Sequence, residues 1–256
     1  MSEAPTPPGT TPTTPTTPTT LETAVSGIEV MIFDELEPGM SLPSEGELAT
    51  TLGVSRLTVR EALKVLAARG LVALGKGRRP RVREPDSAVL SGHFSAAIRR
   101  DPGALLEFLD VREALEIQAV TLAARHASRS ALHAAQSALD GMAEAAADLS
   151  TPAQVTRYHR CDVAFHESLA LASGNRMLVF LLEGLRESLR QSFERSLEGN
   201  ALRGRSVQDA LTTHRAVLAR VRARDAGGAA EAMRECIRDA RDDLRAALAP
   251  APRPRP

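Results

Sequence analysis

From Leu21 the chain repeats apolar residues at helical spacing, Leu21, Val25, Ile28, Ile32 and Leu36, until Pro38-Gly39 ends the run. Ser44 then stands three residues before Glu47, a capping box that predicts a short helix through Leu48, Ala49 and Leu52, stopped by Gly53. Ser55 caps a third predicted helix with an inward stripe of Val59, Ala62, Leu63 and Leu66, closed by Gly70. Leu71 to Leu74 reads as a strand, Gly75 to Pro80 as a turn and Arg81 to Arg83 as a returning strand. Beyond Pro85 the pattern is helical throughout, over about 87–100, 103–127, 130–148, 153–173, 175–198, 206–225 and 229–248. Asp101-Pro102-Gly103, Pro152, Gly174-Asn175 and Gly227-Gly228 are the expected breaks. The fold class is therefore mostly α: three helices and a β-hairpin, the second and third helices joined at Gly53-Val54-Ser55 as a helix-turn-helix, then an all-α bundle of six or seven helices.

Composition adds two tails. Residues 1–20 are almost all Thr, Pro, Gly and Ala, and 249–256 alternate Pro and Arg, so both are expected to stay outside any packed core. The expected domains are 21–84 and 85–248. Two cysteines among 256 residues exclude a disulfide scaffold. No apolar run is long enough to span a membrane and no signal peptide is visible, which gives a cytoplasmic expectation. One Tyr, six Phe and no Trp argue against a stacking platform for single-stranded nucleic acid.

The formal net charge of zero changes meaning when charge is counted by segment. Leu21 to Val54 holds seven acids and no Lys or Arg; Ser55 to Arg83 holds nine bases and the single acid Glu61. A cationic stretch this dense suits phosphate, confined to one face by its acidic neighbour. On the third helix Arg56 and Arg60 share a face, with Thr58 close to it and Lys64 one turn on. Arginine can be bidentate to guanine O6 and N7. The hairpin tip offers Lys76, Gly77, Arg78 and Arg79 to a DNA backbone. A basic but merely solvated helix face is the bland alternative.

In the helical half, Asp162 and His166 stand i, i+4 on one predicted helix, and His214 and Cys236 follow on the next two. Carboxylate, imidazole and thiolate suit Zn²⁺ and similar ions. Cys236 is alternatively a small buried hydrophobe. Arg112 is suited to capturing a carboxylate, or else pairs with Glu116 at the surface. Asn175 reads as a helix cap, His159 as a residue able to reach the pocket, and Met142, Met177 and Met233 as core.

Residues 21–83 resemble the winged-helix domain of GntR-family bacterial transcription factors. The matching stretch is Pro38-Gly39, Leu42-Pro43-Ser44-Glu45, Glu47-Leu48-Ala49, Leu52-Gly53-Val54-Ser55-Arg56, Val59-Arg60-Glu61-Ala62-Leu63, Leu66 and Gly70-Leu71-Val72. The second half resembles the FCD domain of the FadR subfamily through Leu109 to Glu116, Asp162-Val163-Ala164-Phe165-His166, Ala172 to Asn175, Thr213-His214 and Ala229 to Met233. The resemblance implies operator contact by Arg56, Arg60 and the wing tip at Lys76-Gly77. It also implies a divalent metal on Asp162, His166 and His214 beneath an effector pocket, with Arg112 lining it. Its further implications are a homodimer on a pseudo-palindromic duplex and repression relieved by a small organic acid. Three departures stand out. Gly46 occupies a position where the family often has Arg, the wing reads Arg79-Pro80-Arg81-Val82 rather than Gly-Thr-Phe-Val, and Cys236 stands where a fourth family histidine falls. The rival readings are a metal-dependent enzyme on the bundle and a winged helix used for protein contact.

Overall fold

The computed structural model describes residues 18–101 and 103–249, apart from the side chains at 187–189, 191 and 194. Of the expected tails, 1–17 and 250–256 lie outside the described residues. The chain divides into two compact units, Met1–Pro85 and Asp86–Pro256.

In the first unit α1 spans Thr20–Val30 and runs on as a single π turn over Met31–Glu35. Thr19, assigned to the tail from composition, instead caps α1: it accepts from the Glu22 amide while the Glu22 carboxylate accepts from the Thr19 amide. Val25, Ile28 and Ile32 are buried, as the spacing predicts, with Ala24 beside them, but Leu21 is exposed. The expected second box forms at α2, Glu45–Leu52, where Ser44 and Glu47 exchange hydrogen bonds. Gly53 then turns the chain at φ 66°, a left-handed conformation costly for a residue with a Cβ. Ser55 caps α3, Arg56–Ala68, which buries Val59, Ala62, Leu63 and Leu66 against α1 and α2. The hairpin is shorter than the sequence suggests, with β1 at Val72–Ala73 and β2 at Arg81–Val82, paired antiparallel. β2 is held from its other side by Met40 and Leu42: Val82 N donates to Met40 O, Gly39 N to Val82 O and Leu42 N to Pro80 O. The loop after α1 thus does the work of a third strand.

The second unit holds seven α-helices among the described residues: α4 Ala88–Arg100, α5 Ala104–His126, α6 Arg129–Ala145, α7 Pro152–Ala172, α8 Arg176–Leu202, α9 Val207–Arg222 and α10 Ala226–Leu248. Ser128, Thr151 and Asn175 cap α6, α7 and α8 with their side-chain oxygens. α10 packs against α5, α8 and α9, while α6 lies along α7. Gly199 lets α8 and α10 close up: a Cβ there would fall 1.7 Å from the Asp243 carbonyl oxygen. The expected break at Gly227-Gly228 is corrected, because both lie in the first turn of α10. The chain reverses earlier, at Arg224, whose φ is 60°. The Arg224 guanidinium holds the carbonyls of Ala124 and Ala127 at the end of α5, and Asp225 caps α10 through the Gly228 amide. Tertiary anchoring of one arginine outweighs the local preference of two glycines. Met142 and Met233 are core; Met177, expected with them, is exposed.

Candidate functional site

In the first unit the reading face is built on the first turns of α3. Arg56, Leu57 and Arg60 are exposed, and Thr58 is half-buried with its amide and hydroxyl both bonded to the Ser55 hydroxyl. Arg60 does not wave freely. Glu45, at the start of α2, accepts from its Nε at 3.2 Å and its Nη2 at 2.7 Å. That clamp uses the side of the guanidinium and leaves the end, with an N–H on each terminal nitrogen, for a second acceptor pair. Gly46 has a role the sequence does not reveal. A Cβ there would sit 3.1 Å from Arg56 Nη2, so the Arg56 guanidinium lies across the space a side chain would fill. At the wing, Lys76 and Arg78 are exposed around Gly77, whose φ is 68°. A groove runs between α3 and the wing, lined by Arg60, Lys64, Gly77, Arg78 and Arg79.

In the second unit α5, α7, α8, α9 and α10 line a cavity of about 790 Å³, including its open mouth. Asp162 and His166 enter from α7, His214 from α9 and Cys236 from α10. His214 Nε2 lies 3.0 Å from Asp162 Oδ1 and 3.3 Å from His166 Nε2, and His166 Nε2 lies 3.8 Å from Asp162 Oδ1. Cys236 Sγ stands 3.8 Å from His214 Nε2. His159 stays out of this group and stacks edge-on against Phe193 with ring centroids 4.5 Å apart. Cys161 is half-buried beside Gly141.

The protons of this cluster can be assigned from its surroundings. His214 Nδ1 is 2.6 Å from the Ala210 carbonyl, which can only accept, so Nδ1 carries the hydrogen. His166 Nδ1 faces the Glu116 carboxylate, close but poorly angled for a hydrogen bond, and that charge keeps the ring hydrogen on Nδ1. Both Nε2 atoms of the neutral rings are then lone pairs. They converge with a carboxylate oxygen, three acceptors with no proton between them. Such a set needs a cation, either a shared proton or a metal ion. A tetrahedral Zn²⁺ site with bonds of usual length sets ligand nitrogens about 3.3 Å apart and nitrogen from sulfur about 3.6 Å apart. The 3.3 Å and 3.8 Å separations match that spacing. His166, His214 and Cys236 bring three ligand atoms within 4.8 Å of one another, and Asp162 Oδ1 lies beside both imidazoles. Cys236 is less well aimed, because its sulfur is as near His214 Nδ1, at 3.9 Å, as Nε2.

The proton form is also built for. Burial opposes a charged His214, but Cys236 and Asp162 outweigh it and raise its pKa well above the usual value. Burial likewise opposes ionisation of Asp162, yet His214, His166 and Arg112 hold it well below the ordinary carboxylate range. Arg112 is 7% exposed and Glu116 2% exposed, so the expected alternative of a surface pair is corrected: the two do pair, Nε to Oε1 at 2.5 Å, but inside the protein. Burial alone would raise the Glu116 pKa; Arg112 and His166 instead bring it down to about 2. Glu116 therefore joins Arg112 to His166, orienting both. Nothing in the sequence reading gave it that role. The signal was available: Leu109, Arg112, Glu116, Ala119 and Ala123 form the buried stripe of α5.

Comparison with known proteins agrees with both halves. The family model described as bacterial regulatory proteins, gntR family, matches residues 21–82, and the FCD domain model matches residues 107–239. The chain belongs to the GntR family and carries an FCD domain. This GntR-family chain is 34% identical over 169 residues to the Glc operon transcriptional activator of Escherichia coli strain K12, covering 64% of the chain and 65% of that protein. It is 36% identical over 148 residues to the HTH-type transcriptional regulator LutR of Bacillus subtilis, covering 58% and 65%. It is 33% identical over 144 residues to the HTH-type transcriptional repressor NanR of Shigella sonnei, covering 55% and 52%. The match thus spans about two thirds or less of these relatives. Among solved structures, Streptococcus agalactiae GntR shares the fold at a TM-score of 0.66 and 23% identity, over 87% of this chain and 99% of that one. No helix among the described residues is long and apolar enough to cross a membrane.

Proposed function

We propose that this GntR-family chain is a ligand-responsive, DNA-binding transcription regulator that acts as a homodimer on a pseudo-palindromic duplex. The observation that carries the reading is one chain holding both a clamped, exposed arginine face and a buried convergence of three acceptors at the floor of a cavity. Arg56, Thr58 and Arg60 would meet base edges in the major groove, with Lys76, Gly77 and Arg78 against the backbone. Two-fold symmetry in the protein requires it in the site. Asp162, His166 and His214 would hold a divalent ion, Zn²⁺ foremost, with Cys236 completing the set. Such an ion would be Lewis-acidic and would take a carboxylate as a fifth ligand or in place of Cys236. Arg112, which lines the cavity, offers its remaining N–H groups to the same carboxylate. Glu116 keeps Arg112 and His166 in place. A small carboxylate changes DNA affinity only by binding the DNA-competent and incompetent forms unequally. Glu167, the acid next to His166 in the sequence, pairs with Arg186.

The test selects a duplex from a random pool with the full chain, then titrates small carboxylates into the complex. A two-fold symmetric duplex released or tightened by one carboxylate is the expected result. Retention of no duplex, or of duplexes without symmetry, overturns the reading.

A further inference from the structure

Leu57 is the second residue of α3 and is 66% exposed. At 100° per residue it lies about 60° around the helix from Arg60, and on the side opposite the stripe of Val59, Ala62, Leu63 and Leu66. Single exposed leucines are ordinary. The surroundings of this one are not. It sits in the most basic stretch of the chain, between Arg56 and Thr58. The polar groups around it are held in place: the Arg56 guanidinium lies across Gly46, the Thr58 hydroxyl bonds Ser55 Oγ at 2.9 Å, and Glu45 grips the side of Arg60. The clamp turns the end of the Arg60 guanidinium outward, the edge that can be bidentate to guanine. Leu57 is then the apolar surface beside that edge. The major groove presents one apolar group of its own, the C5-methyl of thymine.

We propose that Leu57 is a specificity-determining residue of the DNA-reading face, covering the methyl group of a thymine in each half-site. The clamp of Glu45 on Arg60 sets the register. Contacts of this kind add little to non-specific binding, which rests on phosphates. They discriminate thymine from any base without the methyl. The inference rests on the DNA-binding reading above.

The probe is the duplex selected from a random pool by the full chain. Each thymine in it is replaced singly by deoxyuridine, which removes the methyl and leaves pairing unchanged. The expected result is one symmetry-related thymine per half-site at which uracil weakens wild-type binding about fourfold, the value of one buried carbon. Leu57→Ala should bind the thymine and uracil duplexes equally, Leu57→Met should keep the preference, and both should unfold at the wild-type temperature. Equal uracil sensitivity of wild type and Leu57→Ala at every thymine, or no sensitive thymine at all, overturns the proposal. In that case loss of binding by Arg56→Ala and Arg60→Ala would leave the DNA reading standing. Failure to retain any duplex would end both.

Discussion

Arg60 and Arg112 are both held by a glutamate, and there the likeness ends. Arg60 is gripped by Glu45 at the surface, its side chain 57% exposed, with one edge of the guanidinium left to solvent. Arg112 is gripped by Glu116 in the interior, and Glu116 is shared with His166. Around Arg60 water screens every pair, so the clamp contributes little to stability and a good deal to direction. Around Arg112 screening is weak, and removing one partner strands a buried charge. Charge in the first unit is presented outward; charge in the second is spent internally to aim two imidazoles.

The sharpest way to break this contrast is to remove cations from each side. Arg56→Ala with Arg60→Ala should weaken binding to the selected duplex about 30- to 10⁴-fold, at about 1–3 kcal/mol for each bidentate contact. The thermal midpoint should hardly move. Glu116→Ala should do the reverse, costing about 3–5 kcal/mol in a denaturant titration. If the arginine pair destabilises as much as Glu116→Ala, the contrast fails.

Metal content sharpens it further. Purified wild type should carry about one equivalent of a divalent ion per chain, lost in His214→Ala by elemental analysis. Cys236→His should retain it, while Cys236→Ala shows whether the sulfur takes part. Glu116→Gln should weaken metal affinity by about 10- to 100-fold, because the charge that orients His166 is gone. An unchanged affinity would reduce Glu116 to a packing role.

Two pH trends follow from the interior pairs. The Glu116 carboxyl is held at about 2, below its ordinary 4.5, so its contribution is present above pH 4.5 and is lost as pH falls toward 2. Glu116→Gln should flatten stability across that window. His214 is raised, so in metal-free protein its contribution is complete at low pH and is lost as pH rises through its raised value. A metal displaces that same proton, and metal affinity should climb with pH. The smallest effects belong to the first unit. Lys76→Ala should lower the slope of log affinity against log salt by about one. Thr19→Ala should cost about 1 kcal/mol through loss of the α1 cap.

Elements were legible wherever local chemistry decides them. Ser44 with Glu47, Ser55 and Asn175 cap the helices they promised to cap, and Gly53 turns where only a left-handed residue serves. The basic stretch from Arg56 to Arg83 could be counted directly, because exposed charge needs no partner to be recognised. Gly227-Gly228 misled, since a glycine pair permits a break and the Arg224 anchor fixes where it falls.

Spacing along the chain brought Asp162 and His166 together, one turn apart on α7. It could not say that His214 and Cys236 arrive from α9 and α10 at 3–4 Å, nor that Glu116 reaches His166 from α5. Nor could it show Glu45 gripping Arg60 from another helix, or Arg56 lying over Gly46. Caps, turns and charge runs are set by neighbours within four residues, so one strand of letters specifies them. The contacts between helices, His214 with Asp162, His166 and Cys236, Glu116 with His166, Glu45 with Arg60 and Arg56 over Gly46, join residues 10 to 52 positions apart, and only the packing of helices determines which of those meet.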